Sequence, residues 1–184
     1  MKFKDSVIID EPLNGLSTFV IPTQVQDVVT ISGSMLGGML FSDNNKIPSL
    51  TSSMLDKGTR NNSKHEISNQ LESIGAEISF VSSNRHINFT AHCLKSNIDI
   101  VVRLIAEQLK EPTFPEDELL TLKKRMIANL EVSKDDTKKQ ALINFLREIY
   151  PKGHYNRRST IEDSINNIRS VQTNDLIHFY EQAY

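Results

Sequence analysis

A single cysteine, Cys93, leaves no partner for an internal disulfide, so a small disulfide-stapled scaffold is excluded. No apolar run approaches the roughly 20 residues needed to cross a bilayer as a helix. The opening MKFKDSVIID also lacks the apolar core of a secretory signal. Neither sign of charge dominates: 21 Lys and Arg against 23 Asp and Glu give a net charge of −2. Because the signs are interleaved, neither a nucleic-acid partner nor an anionic membrane surface is expected. Internal repeats and low-complexity linkers are missing as well. What is present is a chain of 184 residues, 38% hydrophobic and 24% charged, long enough to bury one good core. One soluble domain over residues 1–184 is the expectation, with no compartment implied.

Strands come first along the chain and helices later. Segments 16–22 and 28–34 are rich in β-branched and apolar residues and are separated by the polar TQVQD, which predicts two adjacent strands. Ile47, Leu50, Met54 and Leu55 then fall at helical spacing, and Gly58 ends that helix. Ser63 followed by Glu66 is a capping-box signature for a second helix with the apolar stripe Ile67, Leu71 and Ile74 and with Gly75 just past its end. Segments 76–82 and 86–93 read as a hairpin joined by SSNR. The second alternates Ile87, Phe89, Ala91 and Cys93 with His86, Asn88, Thr90 and His92, so one face packs and the other is polar. A third helix carries Ile98, Val101, Val102, Ile105 and Leu109 and stops at Glu111-Pro112.

A longer helix starts near Pro115, with Glu116, Asp117 and Glu118 in its first turn, where negative charge meets the positive helix end. Leu119, Leu122, Met126, Ile127 and Leu130 form its apolar stripe. Another helix carries Ala141, Leu142, Phe145, Leu146 and Ile149, and two helical pieces lie around 161–168 and 173–184. The fold class expected is α+β: a mainly antiparallel sheet with helices packed on one face.

The run Ser49-Leu50-Thr51-Ser52-Ser53, ending in Lys57-Gly58-Thr59, resembles the metal-binding helix of the pitrilysin/insulinase/mitochondrial-processing-peptidase family of zinc peptidases, the inverzincins. Active members carry His-x-x-Glu-His before a Lys-Gly-Thr ending. Counting back from Gly58-Thr59, the two histidine positions and the glutamate position hold Ser49, Ser53 and Ser52. Serine hydroxyls do not replace imidazole on zinc, and no carboxylate remains there as a general base. The resemblance extends through Asn14-Gly15-Leu16, Gly33-Ser34-x-x-Gly37-Gly38-x-x-Phe41, Leu71-Glu72-Ser73-Ile74-Gly75-Ala76, Pro112-x-Phe114-Pro115 and Tyr150-Pro151-x-Gly153-His154. It is nearest to the zincless, noncatalytic halves of the family. The resemblance implies that the domain continues past the Phe179-Tyr180-x-x-x-Tyr184 helix, so residues 1–184 are expected to be an excised part of a longer two-half protein.

Other candidate constellations have plainer readings. His65-Glu66 begins like His-Glu-x-x-His, but Asn69 stands at the second histidine position, and Glu66 has a capping role. His86 and His92 share a strand face but lie roughly 20 Å apart at about 3.3 Å per residue, too far to hold one ion. His154 falls in a glycine-containing loop and His178 on the last helix, both read as surface or partly packed histidines. Glu131 lies roughly where active relatives place a distal glutamate ligand, and reads as surface charge without the two histidines. Cys93 ends an apolar strand face and reads as a buried, inert thiol. Ser49, Ser52 and Ser53 have no nucleophile elbow or base beside them. No Gly-Lys-Ser/Thr follows Gly37-Gly38, so no phosphate loop is present.

No catalytic, cofactor-binding or metal-ligating residue is therefore assigned to this chain. The resemblance implies a noncatalytic half that helps enclose an unfolded peptide, with zinc, nucleophilic water and general base supplied by a homologous zinc-bearing half. That partner would lie on the same longer chain or on a separate subunit. Two other classes remain: a structural scaffold subunit of a larger assembly, and an active metallopeptidase with unrecognised ligands.

Overall fold

The computed structural model describes residues 7–13 and 15–183. Asn14 and Tyr184, which contribute to two of the family-like motifs, lie outside the described residues. The first two strands, β1 (Ile8–Leu13) and β2 (Leu16–Val20), pair antiparallel with Ile8 opposite Val20 and Leu13 opposite Leu16. Next come β3 (Val28–Leu36), the helices α1 (Lys46–Met54) and α2 (Lys64–Ser73), and the strands β4 (Glu77–Ser82) and β5 (His86–Leu94). Five helices close the chain: α3 (Ile98–Lys110), α4 (Glu116–Val132), α5 (Thr137–Ile149), α6 (Ile161–Ser170) and α7 (Thr173–Ala183).

Segments 16–22 and 28–34 are not paired with each other, contrary to the sequence expectation. β2 turns back on β1 across Gly15, which sits at φ 83°, while β3 joins a separate antiparallel sheet in the order β3-β5-β4. Closing a hairpin over a two-residue turn is local, whereas residues 21–27 form an open link. The β1–β2 hairpin leaves Ile8, Ile9, Phe19 and Val20 exposed.

In the three-stranded sheet, β5 is central, pairing Ala91 with Ile31 of β3 and with Ile78 of β4. Alternation along β5 has the consequence its sequence implies: Ile87, Ala91 and Cys93 are buried while His86 and His92 are exposed. The buried face joins Leu50, Met54 and Leu55 from the α1 segment, Val101, Leu104 and Ile105 from α3, Leu119 and Leu122 from α4, and Leu176 from α7 in one core. The architecture is α+β, with α1 and α2 against β4, and α3 against β5.

Helix phase refines the expected stripes. On α3 the buried residues are Val101, Leu104, Ile105 and Gln108, and Val102 faces solvent because it lies about 100° around from Val101. Burial on α4 is complete at Leu119 and Leu122 but only partial at Met126, Ile127 and Leu130. None of the residues of α5 is buried, and Leu142, Phe145 and Ile149 are exposed.

Two local devices hold the site region in place. Gly37 and Gly38 both donate backbone N–H to the Arg85 carbonyl at 3.1 Å, and Met39 and Leu40 donate to Ser83 and Asn84 at 2.9 and 2.8 Å. The segment after β3 is thus clasped to the β4–β5 turn. At the end of α1, Gly58 adopts φ 151°, Thr59 is buried, and its hydroxyl donates to the Glu107 carboxylate. Asn62 Nδ2 reaches the same oxygen of Glu107 at 2.8 Å, and Gln70 Nε2 donates to Asn62 Oδ1 at 2.8 Å. The Gly58-Thr59 turn is therefore tied to α3 by side chains, and backbone bonds from the Arg60 N–H to the Glu111 carbonyl at 3.0 Å and from the Thr113 N–H to the Gly58 carbonyl at 3.1 Å add to the hold.

The capping box of α2 is complete: the Glu66 N–H donates to Ser63 Oγ at 3.3 Å, and the Ser63 N–H donates to Glu66 Oε2 at 2.7 Å. The Ser63 hydroxyl, which donates to Glu66 Oε2 at 2.7 Å, and the Ser63 backbone N–H together hold the Glu66 carboxyl below its ordinary value. Ser63→Ala is expected to cost about 1 kcal/mol in a urea melt. Because the folded value is lowered, the Glu66 contribution is fully present above its ordinary value of 4.5 and is lost as pH falls through the folded one. The penalty of Ser63→Ala should accordingly shrink in acid, and a penalty that stays constant with pH would contradict the box.

Candidate functional site

Alternation on the sheet leaves one broad face free of helices. Its rows are Thr30, His92 and Glu77; then Ser32, Thr90 and Ser79; then Ser34 and Asn88 with Val81. Thr30 Oγ1 and His92 Nδ1 lie 3.0 Å apart across the β3–β5 pair. This polar face and the free outer edge of β4 border the end of α1, so the region of interest is the corner where sheet, α1 and α4 meet.

At that corner Ser52, Ser53, Asp56, Lys57, Ser79 and Arg125 surround a cavity of about 180 Å³. Ser52 is buried and its hydroxyl is committed to the Ser49 carbonyl at 3.0 Å. Ser49 and Ser53, four residues apart, share one half-buried side of the helix, while Leu50 and Met54 point into the core. Asp56 and Lys57 form an ion pair at 2.8 Å.

Tested against zinc, this donor set does not fit. Ser49, Ser52 and Ser53 offer hydroxyls, one already hydrogen-bonded to a carbonyl, and no imidazole, thiolate or carboxylate, at the three helix positions in question. Among the described residues, no three His, Cys, Asp or Glu side chains come together as a metal site.

The remaining candidates are dispersed. Glu131 pairs with Lys134 at 2.7 Å on the surface of α4 and does not line the cavity beside α1. His65 and Glu66 border a separate cleft of about 560 Å³, where Lys64 holds Glu118 at 2.9 Å. His154 is sandwiched between Tyr150 and Tyr155, with ring centroids 4.4 and 4.5 Å away, and its Nδ1 accepts the Asn156 N–H at 3.1 Å. His178 meets Gln182 at 3.0 Å on the exposed side of α7. Cys93 is buried, which pushes its thiol up from the ordinary value, away from nucleophilic use.

Arg125 was not singled out by its sequence. It follows Leu122 by three positions and precedes Met126, so the helix period puts it on the flank of the buried stripe, facing the α1 end.

Residues 42–164, about two thirds of the chain, match the family model described as insulinase (peptidase family M16). The chain belongs to the insulinase family. Within that family, a curated relative named mitochondrial-processing peptidase subunit alpha-1, from Dictyostelium discoideum, is 31% identical over 97 residues. That match takes in 53% of this chain and 15% of the relative.

Solved structures with the insulinase-family fold superpose over most of the chain. One described as the peptidase M16 inactive domain from Pseudomonas fluorescens gives a TM-score of 0.82 at 20% identity, covering 94% of this chain and 42% of that one. The periplasmic protease PqqL from Escherichia coli gives 0.80 at 18% identity, covering 100% and 21%. A protease from Helicobacter pylori gives 0.81 at 16% identity, covering 97% and 43%. The chain thus spans less than half the length of each of these four relatives. Among the described residues, no helix is long and apolar enough to cross a membrane.

Proposed function

We propose that this chain is a noncatalytic half of an insulinase-family peptidase, contributing a wall of the chamber that encloses an unfolded peptide. The observation that carries this reading is the serine triplet: α1 has the family's Lys-Gly-Thr ending and lies beside a sheet edge, yet presents Ser49, Ser52 and Ser53 where active members present zinc ligands and base. The polar sheet face suits a wet chamber wall, because its central strand β5 is paired on both sides while Thr30, Ser32, Asn88 and His92 meet water or a passing polar chain. A homologous half would supply zinc, the attacking water and the general base. The longer solved relatives support a partner on the same polypeptide, and the relative named as a subunit supports a separate one.

Elemental mass spectrometry on the untagged chain, after dialysis against a weak chelator, tests the reading. The expected result is a zinc content near zero and no chelator-sensitive cleavage of an unfolded peptide. Stoichiometric zinc would overturn it. Co-purification from the source cell should recover a chain containing His-x-x-Glu-His, and recovery of a large assembly without one would favour the scaffold role.

A further inference from the structure

The cavity beside α1 has a chemistry of its own. Two of its donors are unspent: the Arg125 guanidinium and the Ser53 hydroxyl form no hydrogen bond or ion pair with any described residue. The other charges cancel, since Lys57 holds Asp56 at 2.8 Å with only 17% of the lysine side chain exposed. One net positive charge therefore faces a recess of about 180 Å³ floored by Ile78 and Phe80.

We propose that this recess binds a carboxylate, clamped by Arg125 and hydrogen-bonded by Ser53. A planar guanidinium matches a carboxylate through two parallel N–H···O bonds. A phosphate dianion would need a second free cation, and Lys57 is committed to Asp56. The Asp56 carboxylate would repel an anion were it alone, but its pairing with Lys57 removes most of that field. The apolar floor accommodates a short aliphatic stem behind the carboxylate. That carboxylate comes either from a peptide C-terminus or from a free small acid. The inference goes beyond the noncatalytic reading and does not depend on it, because it concerns donors of this chain alone.

Titrating the isotope-labelled full chain with N-acetyl-alanyl-alanine, with its C-terminal amide and with acetate, and following the backbone amide resonances of Ser53, Lys57 and Ser79, tests the site. The acid should give saturable shifts, and the amide should not. Arg125→Gln should weaken binding about tenfold, as expected for loss of a charge-assisted hydrogen bond. Because Arg125 is exposed, this variant should keep the remaining spectrum unchanged. Tighter binding of the dipeptide than of acetate would assign a peptide end, and equal binding would assign a small acid. Absence of saturable shifts, equal shifts with the amide, or undiminished binding by Arg125→Gln would each overturn the proposal, and zinc content would remain a separate readout.

Discussion

Gly38→Ala is expected to lower the unfolding free energy by about 3 kcal/mol, the upper end of the usual cost of forcing atoms into a packed site. A Cβ at Gly38 would lie 2.5 Å from the Ser83 carbonyl oxygen and 2.6 Å from the Arg85 backbone nitrogen. Those atoms belong to the turn that Gly37–Leu40 clasps, so relief requires breaking backbone hydrogen bonds at both ends of the contact. Gly75→Ala is a suitable contrast. Gly75 has φ 62° but open space around its missing Cβ, so only the left-handed backbone penalty of about 1–2 kcal/mol applies. Urea midpoints at unchanged slope measure both. A Gly38→Ala variant no weaker than Gly75→Ala would show that the clasp yields easily.

Leu50→Ala is expected to cost about 3–4 kcal/mol, within the range for emptying a leucine site in a close-packed core. Leu50 is fully buried on α1, which packs against β4, α4, α6 and α7, so no single neighbour can move to fill the space. Ser53→Ala, on the half-buried side of the same helix, should stay within about 0.5 kcal/mol of the parent. Thermal or urea melts of the pair check this. A cost below about 1 kcal/mol for Leu50→Ala would mean that α1 is not a centre of the core.

How far the sequence led depended on whether local or distant partners decided the outcome. Ser63 and Glu66 announce their capping box because both partners lie within one turn, and the alternation of 86–93 announces its faces because strand period is local. The pairing of β2 with β1 rather than β3 was not legible, since segment 8–13 carries Asp10, Glu11 and Pro12 among its apolar residues and has no clean alternation. Val102 was misplaced because the five apolar residues assigned to that stripe do not fix the helix phase when a glutamine, Gln108, occupies a core position. At the site, the family motif located α1 and its serines directly. Arg125 was hidden because its role arises only where α4 meets the α1 end, more than seventy residues away in sequence.

The Gly58-Thr59 turn bears on how such a chain can change over evolutionary time. Thr59, Asn62, Gln70 and Glu107 hold the end of α1 by hydrogen bonds, and Leu50 and Met54 hold its inner side by packing. Neither anchor passes through Ser49 or Ser53. Substitutions on that outer side are therefore nearly free of selection for folding, so chemistry there can be lost, or replaced by a different recognition task, while the scaffold inherited with it stays intact.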